Sequence, residues 1–203
     1  MKSATRKNGG LPILRFKDET EWKLWLRKNG MTSAGVWLRI AKKGSGEKSV
    51  SYAEALDAAL CWGWIDGQKG AYDPSWWLQK FTPRGERSIW SKRNRERAEA
   101  LTRSGQMHSA GMNAIAVAKR AGQWDRAYKS QGSMEVPSDL QEALEKNPSA
   151  REFFKTLNSV NRYAILFRIH VAKRQETRKK RIGKFVEMLK RGETIYPQTR
   201  GHR

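Results

Sequence analysis

The residues with the clearest potential for chemistry lie between positions 60 and 94. This segment holds five of the nine tryptophans of the 203-residue chain. An indole offers a large flat surface for stacking, and a guanidinium binds carboxylate or phosphate in a fork. Their interleaving predicts either a firmly anchored core or a binding surface for a flat or anionic ligand. The candidate ligand-binding residues are Trp62, Trp64, Asp66, Gln68, Arg84, Trp90, Ser91 and Asn94.

Two interpretations of the tryptophans are open. Successive residues of a strand point to opposite faces of a sheet, so some indoles are expected to pack in the core. One or two others would line a cleft in which a base, nucleoside or sugar ring stacks. Stacking of a base on an aromatic side chain contributes about 1–3 kcal/mol, which would make a single tryptophan decisive for a weak ligand.

The segment around Arg84 predicts an anion site. Ser91 and Asn94 lie where a helix is expected to begin, and the unpaired N–H groups of a helix start attract anions. A strand end that carries Arg84 and this helix start would then converge on one anion. In the alternative interpretation, Ser91 only caps its helix and Arg84 pairs with an acidic neighbour, Asp66 or Glu86.

Catalytic candidates are weak and number two, Asp66 and His108. Asp66 precedes Gly67, and an Asp-Gly pair favours a hairpin turn, which explains this carboxylate without catalysis. A single carboxylate with no nearby histidine is weak support for acid–base chemistry. His108 is either structural or the one imidazole near the site. Cys61 follows an apolar stretch and is expected to be buried and inert.

Neither a metal nor a cofactor is expected. The chain has three histidines and one cysteine, and their positions do not show the spacing of zinc ligands. One cysteine also excludes an internal disulfide, so nothing demands an oxidising compartment. No stretch approaches the roughly 18 apolar residues of a membrane helix, and the polar N-terminus does not resemble a signal peptide. We therefore expect a cytoplasmic protein with no membrane partner.

The charge predicts anionic partners. The chain carries 41 Lys+Arg against 20 Asp+Glu, a formal net charge of +21, which favours encounters with nucleic acid or a small anionic ligand. Residues 162–191 alone hold eleven basic side chains. Within this stretch, basic residues recur at helical spacing and predict a basic surface of Lys173, Arg174, Arg178 and Arg181. It predicts either a docked helix with a solvated face or one that follows a phosphate backbone.

The first half of the chain predicts helices around a small sheet. Asp18 with Glu21, and Ser51 with Glu54, are helix starts of the capping type. Strands are expected at 36–40, at 64–65 and at 76–81, with a turn at Asp66-Gly67. The loop 42–46, Lys-Lys-Gly-Ser-Gly, is a connector or a phosphate-binding loop. The connector is favoured because the loop lacks the Walker spacing.

The second half predicts helices only. They are expected at 91–104 and 109–122, then after a linker at 123–136, with Ile182, Phe185, Val186 and Leu189 on one buried face. The predicted fold is α+β and mostly helical, with a small antiparallel sheet in the N-terminal part and a C-terminal helical part packed on it. The predicted domains are a flexible basic tail at 1–13, a Trp-rich α+β domain at 14–130, a helical domain at 131–192 and a basic tail at 193–203.

Several motifs carry a family resemblance. They include Cys61-Trp62-Gly63-Trp64-Ile65-Asp66-Gly67, Phe81-Thr82-Pro83-Arg84, Ser88-Ile89-Trp90-Ser91, Val136-Pro137 and Ala172-Lys173. Through these motifs the chain resembles the YdeI/OmpD-associated (bacteriocin-protection) family, in consistent order over roughly residues 14–192. That family is largely uncharacterised and is named from genetic association, so the resemblance implies no specific chemistry.

The leading functional hypothesis is a cytoplasmic module that binds an anionic ligand or nucleic acid through a Trp/Arg cleft. A second is an enzyme that acts on a small anionic or nucleotide-like substrate, with Arg84 as anchor and Asp66 or His108 as acid–base group. The second requires Asp66, Arg84 and Asn94 to share one open pocket. A third is a stress or antibacterial-resistance factor that acts through a protein partner.

Overall fold

The computed structural model describes residues 7–129 and 132–198. It divides into an N-terminal unit, up to Ala127, and a C-terminal unit, from Tyr128 onwards. The described residues form a mostly helical α+β structure, with the sheet in the N-terminal unit. The predicted fold class is thereby confirmed. None of the helices in these residues is long and apolar enough to cross a bilayer.

The described residues of the N-terminal unit form five strands and four helices. In chain order they are β1 Lys7–Asn8, β2 Leu11–Leu14, α1 Glu19–Asn29, β3 Val36–Ala41, α2 Tyr52–Cys61, β4 Trp64–Ala71, β5 Trp76–Pro83, α3 Lys92–Arg103 and α4 Ser109–Arg120. The strands lie in the order β1-β2-β3-β5-β4. All neighbouring pairs are antiparallel except β2 and β3, which are parallel. The sheet is thus predominantly antiparallel, as predicted, and β2 and β3 form a parallel pair because α1 is the crossover between them.

The N-terminal tail predicted at 1–13 is wrong where the structure describes it. Residues 7–8 and 11–14 form β1 and β2. Ile13 pairs with Trp37 of β3, and the indole N–H of Trp37 donates to the carbonyl of Asn8 at 3.0 Å. Strand pairing and this side-chain bond hold a segment that its basic composition alone marked as flexible. Residues 1–6 lie outside the described part.

The predicted helix starts are confirmed. The side chain of Asp18 accepts the N–H of Glu21 at 3.0 Å and begins α1. Ser51 and Glu54 form a complete capping box at the start of α2. Both arrangements satisfy N–H groups that the first turn of a helix leaves without an intrahelical partner.

The hairpin turn predicted at Asp66-Gly67 is wrong. Strand β4 runs through these residues, and its register against β5 shifts between Asp66 and Lys69. The amide of Gln79 in β5 donates to the carbonyls of Gly67 and Gln68, at 3.0 and 3.3 Å. This buried amide satisfies backbone that the shift takes out of the strand ladder.

The chain reverses instead at residues 72–75. There the side chain of Asp73 accepts the N–H groups of Ser75 and Trp76, both at 2.8 Å. An Asp side chain that binds backbone N–H groups two or three residues later is a common stabiliser of turns. Asp73 therefore makes the turn that the sequence predicted at Asp66.

The tryptophans dominate the core of the N-terminal unit. Trp22 and Trp64 are almost fully buried and meet edge to face, with ring centroids 6.3 Å apart. Their indole N–H groups donate to the carbonyls of Ala55 and Gly30. Trp124 is also buried, against Trp90. The linker predicted at 123–136 therefore begins inside the core, because an indole at this position gains more from burial than from exposure.

The C-terminal unit is helical. It contains α5 Ser138–Glu145, α6 Pro148–Lys155, α7 Ser159–His170 and α8 Gln175–Lys190. The predicted buried face of α8, namely Ile182, Phe185, Val186 and Leu189, is confirmed. Residues 193–198, expected in a basic tail, return to α7. The backbone N–H of Tyr196 donates to the buried side chain of Asn161 at 2.9 Å, and that side chain donates back to the Tyr196 carbonyl. Residues 199–203 lie outside the described part.

Candidate functional site

A pocket of about 300 Å³ opens in the N-terminal unit. It lies between the α2–β4 turn, the segment that follows β5, and α4. Its polar lining comes from Arg84, Glu86, Ser88 and Asn113, and Trp62 supplies an aromatic wall. We call it the Arg84 pocket. A concave site with one flat apolar wall and a few convergent polar groups is the usual form of a small-molecule site.

Backbone contacts tie the three walls together. Gly63 has a φ of +72°, and a Cβ at this position would lie 2.8 Å from the carbonyl oxygen of Ala110 in α4. A glycine is therefore required on both conformational and steric grounds. The N–H of Arg84 donates to the Gly63 carbonyl at 2.9 Å, and the N–H of His108 donates to the Cys61 carbonyl at 3.1 Å. The α2–β4 turn is the common anchor of the pocket.

The guanidinium of Arg84 lies against an indole. Its Cζ is 3.5 Å from the ring centroid of Trp90, and its Nη1 donates to the carbonyl of Ile89 at 3.4 Å. Trp90 is 2% exposed and is backed by Trp124. A cation over an aromatic face gains about 0.5–2 kcal/mol, more where water is excluded. The pocket thus holds a positive charge in a defined position.

Two of the three predicted stacking tryptophans are sealed. Trp64 is 1% exposed within the core, and Arg84 covers Trp90. Neither can stack a ligand, so this expectation is corrected. Trp62 is half-buried and forms a wall between the Arg84 pocket and a neighbouring hollow of about 380 Å³. One face of Trp62 is covered by His108, with ring centroids 3.9 Å apart.

Asp66 belongs to a separate polar cluster. It accepts hydrogen bonds from the hydroxyl of Tyr52 at 2.8 Å and from the amide of Asn94 at 3.3 Å. None of these three residues lines the Arg84 pocket. The prediction that Asp66, Arg84 and Asn94 share one pocket is therefore wrong. Burial, and then the bond to the Asp66 carboxylate, raise the pKa of Tyr52 well above its ordinary value.

The helix start predicted to bind an anion is occupied by its own residues. The side chain of Ser91 accepts the N–H of Asn94 at 3.1 Å and caps α3. The amide of Asn94 is directed to Asp66. The capping interpretation of Ser91 is therefore the one observed. Gln68 is exposed, and its carbonyl accepts a bond from Gln79.

His108 and Cys61 have structural surroundings. The Nδ1 atom of His108 accepts the N–H of Ala110 at 3.3 Å, which makes this residue the N-cap of α4. The thiol of Cys61 is buried, and burial raises its pKa to about 11. A thiol with a raised pKa is a poor nucleophile. Within residues 7–129 and 132–198, no three side chains of His, Cys, Asp or Glu group around a possible metal position.

The predicted basic surface divides in two. Arg178 donates to both carboxylate oxygens of Asp139 and to the carbonyl of Ile169, and Arg181 donates to the carbonyl of Arg168. These two arginines cap the C-terminal end of α7, where cations are stabilised, and so belong to the packing of the unit. Lys173 and Arg174 are exposed.

Three residues of the pocket and of the polar clusters were not predicted from the sequence. Tyr52 reads only as part of a capping box, and Gln79 as an ordinary strand residue, yet they bind Asp66 and the shifted backbone of β4. Asn113 lines the Arg84 pocket from an exposed position of α4. No local pattern marks these residues, because their partners lie far away along the chain.

Two family profiles match the chain. Residues 14–114 match a domain of unknown function, DUF8412. Residues 133–192 match the family described as Bacteriocin-protection, YdeI or OmpD-Associated. No curated protein and no solved structure matches with significance. The resemblance is thus confirmed for the C-terminal part, whereas the earlier motifs fall within a different domain. The chain therefore combines a segment that matches a domain of unknown function, residues 14–114, with a segment that matches the Bacteriocin-protection, YdeI or OmpD-Associated family, residues 133–192.

Proposed function

We propose that the protein binds a small anionic ligand in the Arg84 pocket. One observation carries the proposal. The guanidinium of Arg84 is held 3.5 Å over the ring of Trp90 in the wall of a pocket of about 300 Å³. An arginine whose side chain is already ordered loses little entropy when it binds an anion, so the site is pre-organised.

The remaining lining indicates the kind of ligand. Ser88 and Asn113 can donate hydrogen bonds to the same anionic group, and Trp62 offers a partly exposed aromatic wall. Glu86 lines the pocket but is exposed, so water screens its charge more than that of the partly buried Arg84 side chain. A compact aromatic carboxylate or phosphate combines the features that these residues recognise.

Phenyl phosphate and benzoate are suitable probes, with phenol as the neutral control. In NMR titrations of the full chain, we expect both anions to shift the amide signals of Gly63, Arg84 and Ala114, and phenol to have little effect. The variant Arg84→Gln is expected to weaken binding about tenfold, the contribution of one charge-assisted pair.

Arg87→Gln is the matched control, because Arg87 is exposed in the same segment and does not line the pocket. Absence of shifts with either anion, or an equal loss in both variants, would reject the proposal. A pocket-filling variant, Asn113→Trp, gives a second test. It introduces bulk from an exposed helix position and is expected to block both anions without unfolding α4.

Nucleic-acid binding is the second candidate, and exposed basic residues at the start of α8 and along it favour it. Lys173 and Arg174 directly precede the helix and Lys179 and Lys184 lie within it, and all four are exposed. In the part of the chain that the structure describes, none of the four forms an ion pair with a carboxylate. Exposed basic side chains of this kind suit a phosphate backbone and carry no base-specific information.

Fluorescence titration with single- and double-stranded oligonucleotides tests this candidate. For about four phosphate contacts, binding should weaken roughly a hundredfold between 50 and 200 mM salt. The double variant Lys179→Ser/Lys184→Ser should reduce that salt dependence, whereas Lys28→Ser/Lys146→Ser, with the same net charge, should not. A salt-independent affinity, or none, counts against the candidate.

A further inference from the structure

Another cleft, of about 600 Å³, lies elsewhere on the N-terminal unit. It opens between the loop that follows β3 and the indole of Trp77 in β5. Its lining includes Tyr52 and Glu47, together with four lysines, Lys17, Lys42, Lys43 and Lys48. We call it the lysine cleft. It shares no lining residue with the Arg84 pocket.

The charge of the lysine cleft is positive. Its one acidic lining residue, Glu47, lies 3.7 Å from the guanidinium of Arg15. Among the residues that the structure describes, the four lysines form no ion pair with a carboxylate. The ammonium group of Lys42 donates to the carbonyl of Asp73 at 2.7 Å. The four lysines that line the hollow therefore give it a net positive charge.

Two aromatic rings also line the lysine cleft. The rings of Trp77 and Tyr52 are half-buried, with centroids 6.1 Å apart and planes inclined by 49°. The Tyr52 hydroxyl is bound to Asp66, so its ring is fixed. Buried Ile40 adds apolar surface. A flat apolar surface beside several ammonium groups suits a ring that carries a multiply charged group.

The loop itself leaves its backbone accessible. Gly44 and Gly46 have φ values of +81° and +75°, and a Cβ at either position would meet no atom within 4 Å. A phosphate can approach such backbone closely, since no side chain intervenes. The Lys-Lys-Gly-Ser-Gly sequence lacks the Walker spacing, so this loop differs from a P-loop. Phosphate binding here would also need the residues of β5 and α2 that line the same cleft.

From this geometry we infer that the lysine cleft binds a nucleoside phosphate. The phosphates lie on the lysines of the 42–48 loop, and the base lies against Trp77. Lysines act as point charges and suit a phosphate chain of several charges better than a single carboxylate. This site is independent of the Arg84 pocket, and either can exist without the other.

Calorimetric titration of the full chain with ADP at low salt tests the inference. We expect binding by the wild type and a loss of at least about tenfold in Lys43→Ser/Lys48→Ser, because two charge-assisted contacts are removed. Both lysines are exposed, so the fold should be unaffected. The control variant Lys28→Ser/Lys146→Ser has the same net charge and should bind ADP within about twofold of the wild type.

Two further probes separate the halves of the ligand. Binding of pyrophosphate should depend on Lys43 and Lys48 but little on Trp77. Trp77→Leu should therefore weaken the binding of ADP more than that of pyrophosphate. Circular dichroism verifies that this variant is folded. The inference is overturned if the wild type does not bind ADP, or if both double variants weaken it equally. It is also overturned if Arg84→Gln abolishes ADP binding and Lys43→Ser/Lys48→Ser does not. A 5′-phosphorylated trinucleotide that binds tighter than ADP, with the same lysine dependence, would support the cleft as a site for strand ends.

Discussion

The imidazole of His108 lies nearly parallel to the indole of Trp62, with ring centroids 3.9 Å apart and an interplanar angle of 16°. The same imidazole caps α4 through the N–H of Ala110. His108 therefore joins the start of α4 to the turn after α2 and covers one face of the partly exposed tryptophan at the Arg84 pocket. A residue first considered for acid–base chemistry acts here through packing and a backbone hydrogen bond.

Replacement of His108 by Ala should destabilise the N-terminal unit by about 1–2 kcal/mol, since a helix cap and an aromatic contact are both lost. Urea unfolding monitored by circular dichroism measures this. His108→Asn restores a capping side chain without a stacking ring and should recover part of the loss. An unfolding free energy that is unchanged in His108→Ala would contradict the structural role.

Replacement of Gln79 by Leu should cost about 1–3 kcal/mol, because carbonyls of Gly67 and Gln68 lose their buried donor. Hydrogen exchange of the amides at 66–69 should accelerate, and urea unfolding gives the free energy. Gln68→Leu is the matched control at an exposed position and should change stability by less than about 0.5 kcal/mol. Equal effects of the two substitutions would show that the Gln79 amide does not hold this part of β4.

Tyr52 should make the unfolding free energy fall as the pH rises above about 10, the ordinary pKa of tyrosine. Burial and the Asp66 carboxylate raise its pKa in the folded state. Between the two pKa values, the Tyr52 hydroxyl keeps its proton in the folded state and loses it in the unfolded state. The contribution of Tyr52 to the unfolding free energy is therefore complete below about pH 10 and declines above it. Phenolate absorbance and urea unfolding against pH give the measurement. In Tyr52→Phe the alkaline decline should be smaller, and an identical decline would refute the assignment.

Asp139 should have the opposite effect in the acid range. Hydrogen bonds from the Arg178 guanidinium lower the pKa of the Asp139 carboxyl in the folded state. Its contribution to stability is therefore complete above the unfolded pKa of about 3.9 and is lost as the pH falls through the lower folded value.

The partly exposed pair should contribute about 1 kcal/mol. Asp139→Asn should remove that amount at about pH 7 and less near pH 2, which is below the unfolded pKa of the carboxyl. Hydrogen exchange in α5 and α8 at the two pH values measures the difference. Glu142→Gln on the exposed side of α5 is the control. A loss of equal size at both pH values would assign the effect to packing rather than to the ion pair.

The predictions from sequence hold where partners lie three residues apart. The caps at Asp18, Ser51 and Ser91 follow from such local pairs, and each is observed. The turn predicted at Asp66-Gly67 is not observed, because two residues later in the chain determine where the chain turns. Asp73 makes a better-bonded turn, and Gln79 binds the carbonyls of the intervening strand. Local turn propensity is worth less than hydrogen bonds that only the paired strands allow.

The sequence by itself determined the α+β class, the helix starts, the buried face of α8, the cationic character and the resemblance of the C-terminal part. These depend on composition, on the period of apolar residues and on contacts within one helical turn. Only the tertiary structure decided that Trp64 and Trp90 are sealed, that Trp62 stays partly open, and that Arg84 and Asp66 belong to different clusters. The reason is physical: burial and side-chain partners are set by segments far apart in the chain, and neither has a local signature.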